Sequence, residues 1–578
     1  MRGRVAALLL PGLLFAALHL RALDYDFVWV DQAEIVAGTI LRPPGKILAA
    51  FGEPLQRSEG FATRTFSQPY YRPLQVVLAS ALDAAFGRTP RTFRSASLLL
   101  GTATAGLFGL LALGLLRQPA AAVLAGAVFA AHPGLLEIYV WVAGLSAALM
   151  GFFAIASLGC GWAAQGAGTL RTRVAWCAGS LAALAAGLLS KENAAVVPAL
   201  QIVLAAAALR RARTAHEPRP SVPTLAALVA AQSGLALLYL FALRPAVLGT
   251  ALTGASPIGG SLAAQWQTSL AAWPAQLLWL FAPLHSSTSD AVRIATGWGD
   301  PATLCGIALA LGSAAAILWL LRRGHAVAAA ALAWIWIGFL PTSGVAPLLQ
   351  ARAERNLFLS IFGAALLWGS ALAALRRTPV RRAFAAVLAA LVVGTLSERT
   401  WARTPDWRST EALFGRDVAD DPRHREGRIN LIVADLSAGR IDDAKRHVDI
   451  LADQKPEQEG WHSYVLEPNL RELVCVVNAA AHDDADTLRR YPPHVPSRSE
   501  VWLAPGFHAC YAAALERLAH CEEALAIYAA LYRGSGAEGL PFARGALRCA
   551  TALGRADAVR DWRARIAADA ERARGTAK

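Results

Sequence analysis

A chain of 578 residues that is 55% apolar, with a mean hydropathy of +0.40, does not partition like a soluble globular protein, which has to cover its surface with polar groups. The net charge of +14 is no nucleic-acid signature, because the polar part of the sequence carries no basic patch with interleaved aromatics. Residues 401–578 hold 25 Lys and Arg against 27 Asp and Glu, so the positive excess belongs to residues 1–400, where 30 basic residues face 14 acidic ones.

The apolar runs come first. Residues 5–20 follow Arg2 and Arg4 and precede Asp24 with no small-x-small cleavage site between, so this run is expected to remain as an anchor. Further spans are expected at 93–116, 118–132, 138–160, 174–190, 193–210, 222–243, 303–321, 325–341, 356–375 and 382–398, about eleven in all. With the N-terminus in the cytoplasm, the inner connections carry Arg117, Arg171 and Arg173, Arg210, Arg211 and Arg213, Arg322 and Arg323, and Arg376, Arg377, Arg381 and Arg382. Every one is basic, as the positive-inside rule requires. The outer connections are then 23–92, 133–137, 190–193, 244–302 and 342–355. An odd number of spans places the polar region outside as well.

That region, 400–578, reads as α-helical. The stretches 438–451, 518–528 and 553–562 look alike, and Ala524 and Ala558 stand 34 residues apart, the tetratricopeptide (TPR) period. Ala444 lies 80 residues before Ala524, which breaks the period. A Pro- and aromatic-rich insertion at 455–506 is expected to account for the break. Cys160, Cys177 and Cys305 fall in apolar spans and read as small buried residues. Cys475, Cys510, Cys521 and Cys549 allow one or two disulfides if the region is exported, in pairings the sequence does not fix.

All polar clusters of the membrane half fall on the face placed outside, and charges at a membrane edge are costly enough to mark function. Asp24, Asp26, Asp31 and Glu34 follow the first span. A carboxylate there suits deprotonation of an acceptor hydroxyl or binding of a divalent cation, Mg²⁺ or Mn²⁺; a solvated acidic loop is the plain alternative. Tyr70, Tyr71 and Arg72 lead into an amphipathic stretch ending at Phe86, suited to headgroup depth and to an acceptor or interface role. His132 and Glu137 precede Trp141–Gly144, where a capped turn is the competing reading. Lys191 and Glu192 share a tight turn, as a neutralising pair or a phosphate contact. Arg352, Glu354 and Arg355 open another span, and two arginines at a membrane edge suit a lipid phosphate or plain anchoring.

Taken in order, these segments resemble the transmembrane-and-TPR-containing O-mannosyltransferase family and its bacterial relatives, which are GT-C glycosyltransferases. The resemblance rests on Phe27-Val28-Trp29-Val30-Asp31, Tyr71-Arg72-Pro73-Leu74, His132-Pro133 with Glu137 and Trp141-Val142-Ala143-Gly144, Ser190-Lys191-Glu192, Ala353-Glu354-Arg355-Asn356-Leu357-Phe358-Leu359, and Trp407. It covers about residues 1–440. It departs where the family has a first acidic residue, here Val30, and where Leu145, Ser146 and Ala147 replace the family's Arg and Asp.

The resemblance implies an all-α, GT-C-like polytopic domain over 1–399 and an extracytoplasmic TPR-like helical domain over 400–578. It implies inverting sugar transfer from a polyprenyl-phosphate donor to a protein or glycan acceptor on the outer face of a bacterial inner membrane. Asp31, Glu34 and Glu137 are then the catalytic candidates. Lys191, Arg352 and Arg355 would hold the donor phosphate, and Tyr71, Arg72 and His132 would serve the acceptor or an interface. The rival is a non-catalytic membrane scaffold whose TPR-like domain recruits partners, consistent with the lost carboxylates.

Overall fold

The computed structural model describes residues 1–55, 70–215, 221–249, 256–289, 291–348, 350–375, 378–465, 467–494, 496–497, 500–501, 504–534 and 539–575. The chain forms two compact units. Of the described residues, one unit holds 1–55, those from 70 to 417, and Glu457–Ser463; the other holds Val418–Pro456 and those from Tyr464 onward.

The first unit is a nearly all-α, multi-pass membrane body, its one strand pair among the described residues joining Val292–Arg293 to Trp461–His462. Among the described residues nine helices are long and apolar enough to cross a bilayer: Arg2–Asp24, Pro90–Leu116, Val142–Gln165, Leu170–Ser190, Glu192–Ala212, Val222–Leu248, Pro301–Arg322, Glu354–Leu375 and Pro379–Arg408. The other two expected spans differ from these nine. The run at 118–132 is a 13-residue helix, Pro119–Ala131, that bends by 58° into Pro133–Tyr139. Pro133 supplies the break, since it cannot continue the hydrogen-bond ladder. The run at 325–341 is the shorter apolar helix Ala326–Thr342. The segment 244–302, expected as a loop, contains the 18-residue helix Leu262–Trp279.

Local chemistry starts three of the long helices alike. Thr89, Asp300 and Thr378 each stand before a proline, and their side chains accept the N–H of Thr92, Ala302 and Arg381. A polar cap satisfies an orphan donor, while proline at the first position spends no N–H that the helix needs. Between helices, small residues allow close approach. A methyl group at Gly109 would collide with the carbonyl oxygen of Ala7, and one at Gly306 with that of Leu270. Buried polar bonds add direction: Ser157 donates to the Ser180 carbonyl at 2.8 Å, and Gln232 donates to the Ser180 hydroxyl at 3.0 Å.

The second unit is built of helical hairpins. They pair Arg425–Ser437 with Ile441–Asp453, Glu467–Ala480 with Asp484–Arg490, Pro505–Arg517 with Cys521–Gly534, and Leu540–Ala552 with Ala556–Gly575. Each turn has one residue in the left-handed region: Gly439 (φ 72°), His482 (57°), Ala519 (64°) and Gly554 (66°). In each, the next N–H reaches back five residues, Arg440 to Asp435, Asp483 to Asn478, His520 to Leu515 and Arg555 to Ala550, at 2.8–3.0 Å. This is a helix C-terminal closure repeated four times. The stretch 455–506 therefore contains a hairpin of its own, masked in the sequence because His482 stands where glycine would be expected. Cys475 and Cys510 form a disulfide with Cα atoms 6.1 Å apart, while Cys521 and Cys549 are free and buried.

Candidate functional site

The site is assembled around the turn Val142–Gly144, between the bent helix pair and the span that follows it. Gly144 lets this turn close, since a methyl group there would meet the carbonyl oxygens of Glu137 and Ile138. Asp31 docks onto the turn. Its Oδ1 accepts the Ala143 N–H at 2.8 Å, its Oδ2 accepts the Val28 N–H at 3.2 Å, and it is fully buried. Burial pushes the carboxyl up to about 6, against the two backbone N–H groups and the nearby Arg94 guanidinium. Arg94 is itself enclosed and donates to the carbonyls of Val140, Tyr25 and Asp26, pinning the first outer segment to the bent pair.

Two residues before Asp31, Trp29 has a φ of 55°, a strained conformation for a bulky side chain that costs on the order of 1–3 kcal/mol. Its N–H donates to the Thr410 hydroxyl at 3.1 Å, and its ring stacks on Trp141 at 4.5 Å. The Arg355 guanidinium lies 5.4 Å from the Trp29 ring centre and 5.9 Å from that of Trp141, within cation–π reach of both. The Arg355 backbone N–H donates to Glu137 Oε2 at 2.7 Å, its guanidinium pairs with Glu137 Oε1, and it also donates to the Thr288 carbonyl at 3.0 Å. Thr288 is fixed in turn by Asp417, which accepts its hydroxyl at 2.7 Å and its N–H at 3.1 Å.

A second set of charges adjoins this pair. Arg72 donates to Glu192 at 3.1 Å and lies 4.2 Å from the Tyr70 ring centre. Lys191 ends the helix Leu170–Ser190 and feels the fields of Arg72, Glu192, Arg355 and Glu137. Burial, helped by the two guanidiniums and opposed by the two carboxylates, lowers its ammonium to about 7. Glu34 sits in a wide helical turn, Gln32–Val36, accepts from Gln75 at 3.3 Å, and acts electrostatically on Tyr70 and Arg72.

Glu34, Arg72, Glu137, Lys191 and Arg355 therefore belong to one charge cluster, with Asp31 beside it through Trp29 and Trp141. Tyr71 and His132 have other partners. The Tyr71 hydroxyl donates to the Phe51 carbonyl at 2.8 Å, and its own carbonyl accepts from Tyr239 at 3.1 Å. His132 Nδ1 accepts the Gly134 N–H at 3.1 Å and caps its own turn, while Nε2 lies 3.2 Å from the Leu280 carbonyl, 148 residues away in sequence. Arg352 lies three residues before Arg355 and is partly buried. Among the described residues no three His, Cys, Asp or Glu side chains converge as a metal-ligand group.

Sequence reasoning missed two partnerships. Arg94 lies inside an apolar run, where a lone arginine says little about its partners. Arg403, 5% exposed and at the end of the last span, donates to the Ser286 carbonyl at 2.8 Å and lies 3.4 Å from Glu354. A buried arginine of this kind needs a carboxylate partner, which is the signal that could have paired it with Glu354.

No protein-family model matches the sequence, and no curated protein matches it. Three solved structures are similar in backbone course. The Archaeoglobus fulgidus oligosaccharyltransferase, in the apo form and as AglB in complex with an inhibitory peptide and a dolichol-phosphate, is 14% identical with a TM-score of 0.41 over 69% of this chain and 56% of that one. The chain thus spans little more than half the length of the archaeal protein. ArnT from Cupriavidus metallidurans bound to undecaprenyl phosphate is 14% identical with a TM-score of 0.37, over 93% of this chain and 79% of that one. Likeness at this level assigns neither activity nor ligand.

Proposed function

We propose that the protein is a membrane glycosyltransferase related to the transmembrane-and-TPR-containing O-mannosyltransferase family, using a polyprenyl-phosphate sugar donor on the outer face of a bacterial inner membrane. The observation that carries this reading is the convergence of Arg72, Lys191 and Arg355 with Glu34 and Glu137 beside the buried Asp31. In the reaction the acceptor hydroxyl oxygen attacks the anomeric carbon, the bond from that carbon to the phosphate oxygen breaks, and configuration inverts. The hydroxyl proton passes to a carboxylate. Asp31, titrating near 6, is poised for that role, with Glu34 as its stand-in nearer the cations. Arg72, Lys191 and Arg355 stabilise the charge that grows on the leaving phosphate, the largest contribution positioned cations make. The hairpin unit serves acceptor or partner recognition.

Binding of radiolabelled undecaprenyl phosphate to the full chain in nanodiscs tests the donor site. Binding weakened at least tenfold by Arg355→Met or Arg72→Met supports it, and unchanged binding in both folded variants refutes it. The scaffold reading draws on one observation, the complete enclosure of Asp31 by backbone N–H groups. A scaffold tolerates Asp31→Asn without loss of cellular function, whereas an enzyme that uses Asp31 does not.

A further inference from the structure

The charges of the cluster do not balance in an arbitrary way. Arg72 is matched by Glu192 at 3.1 Å, and Arg355 is matched by Glu137 through both its backbone N–H and its guanidinium. Each of these pairs is neutral, and both guanidiniums stay charged at any working pH. Glu34, the third carboxylate, accepts from Gln75, so among the described residues Lys191 is the one cation of the cluster with no carboxylate at ion-pair distance. Its Nζ has no hydrogen-bond or ion-pair partner among the described residues, although it stands at the break between the helices Leu170–Ser190 and Glu192–Ala212 and is only partly exposed. The charges acting on it most strongly are Arg72 ahead of the helix Pro73–Phe86, Glu192 on its own segment, and Arg355 and Glu137 from the bonded pair, while Tyr70, Tyr239 and Glu34 act on the same Arg72–Glu192 pair. Two guanidiniums repel an ammonium there, two carboxylates attract it, and burial holds it at about 7, so above neutral pH the free amine predominates while no anion is present.

We propose that Lys191 is the charge-adjusting group of this cluster, unprotonated while the site is empty and protonated when a phosphate anion occupies it, so that phosphate binding takes up one proton. The inference rests on the donor-phosphate reading above and adds a property that reading does not require. It also fits the charge change of sugar transfer. The donor is a phosphodiester with one negative charge and the released lipid phosphate is a monoester with close to two at neutral pH. A lysine that gains a proton as the leaving phosphate gains charge keeps the cluster matched to both. The proton comes from the buffer acid in solution, which is left as its conjugate base, and no redox partner is involved.

The test is calorimetric titration of the full chain in detergent with farnesyl phosphate at pH 8, in two buffers of widely different ionisation enthalpy. At that pH the ligand is already almost wholly dianionic, so a buffer-dependent heat reports protons exchanged by the protein. With an amine that titrates near 7, the expected uptake is about 0.9 proton per phosphate bound, and affinity falls as pH rises from 7 to 9. Lys191→Arg, which keeps a permanent cation, is expected to bind with no proton exchanged and no such pH dependence. Lys191→Met is expected to bind at least tenfold more weakly, also without exchange, and near-wild-type tryptophan fluorescence certifies that each variant is folded. Binding of wild type without proton uptake, or uptake that persists in Lys191→Arg, overturns this proposal and leaves the donor-site reading standing. No binding by wild type in either buffer overturns both.

Discussion

Replacing Glu137 with Gln opens the ion pair at the centre of the site. The Glu137 side chain has no solvent exposure and that of Arg355 has 14%, so water screens neither. In Glu137→Gln the amide oxygen keeps the 2.7 Å bond from the Arg355 backbone N–H, but the amide NH₂ then faces the guanidinium, which keeps the Thr288 carbonyl as an acceptor. Breaking a buried pair from one side costs about 3–5 kcal/mol, and the retained N–H bond places this variant near 3 kcal/mol. Removing both charges in Glu137→Gln/Arg355→Met leaves no stranded ion and should restore stability to within about 1 kcal/mol of wild type. Unfolding by SDS titration in mixed micelles, followed by tryptophan fluorescence, measures wild type and both variants, because Trp29 and Trp141 lie against the Arg355 guanidinium. A loss below about 1 kcal/mol in Glu137→Gln, or no recovery in the double variant, would refute the buried pair as described.

Asp31, with its carboxyl raised to about 6, gives sugar transfer an acid limb: the rate falls about tenfold per pH unit below 6 and levels off above it. Because the folded-state value lies above the ordinary one, the folded protein takes up this proton first, so activity is lost near pH 5 with tryptophan fluorescence unchanged. A rate flat from pH 5 to 7 would rule Asp31 out as the base. Gly109→Ala forces the first and second spans apart at the Ala7 carbonyl and should cost about 1–3 kcal/mol or abolish folded expression; wild-type stability by SDS titration would contradict the packing. Cys475→Ser opens a link between residues 35 apart, worth about 4 kcal/mol by loop entropy, and should let trypsin cut the hairpin unit at temperatures where wild type resists.

The membrane body was legible because hydrophobic runs and basic connections answer to one solvent, the bilayer, and leave a residue-by-residue trace. The sequence therefore marked the nine long helices, and two further apolar runs form shorter helices. At 118–132 and 325–341 the helices Pro119–Ala131 and Ala326–Thr342 are shorter than the nine, and Pro133 bends the first. The helix Leu262–Trp279 was hidden because Gln265, Gln267, Gln276 and Pro274 dilute its hydropathy. Its order comes from bonds such as Trp273 Nε1 to the Ser343 carbonyl at 2.8 Å, which link residues 70 apart. In the hairpin unit the period was visible where glycine or a small residue marks the turn and invisible at His482, whose left-handed backbone leaves no compositional sign.

The site followed the same division. Motif order brought Asp31, Glu137, Lys191 and Arg355 forward as candidates, because charged residues at a membrane edge stand out against apolar neighbours. Their pairing did not show. Nothing in Tyr71-Arg72 distinguishes an interfacial tyrosine, which donates to Phe51, from an arginine facing Glu192. That distinction rests on a contact between residues 120 apart in sequence.

The central claim is that the cluster around Lys191 and Arg355 serves sugar transfer from a lipid phosphate. The most direct measurement is transfer of radiolabelled sugar from polyprenyl-phosphate donors by the purified full chain, with Lys191→Met and Asp31→Asn alongside. The account predicts transfer by wild type, a loss of at least a hundredfold in Asp31→Asn, and transfer in Lys191→Met that weakens chiefly through donor affinity. Wild type that transfers from no donor, or variants that transfer as well as wild type, would contradict it.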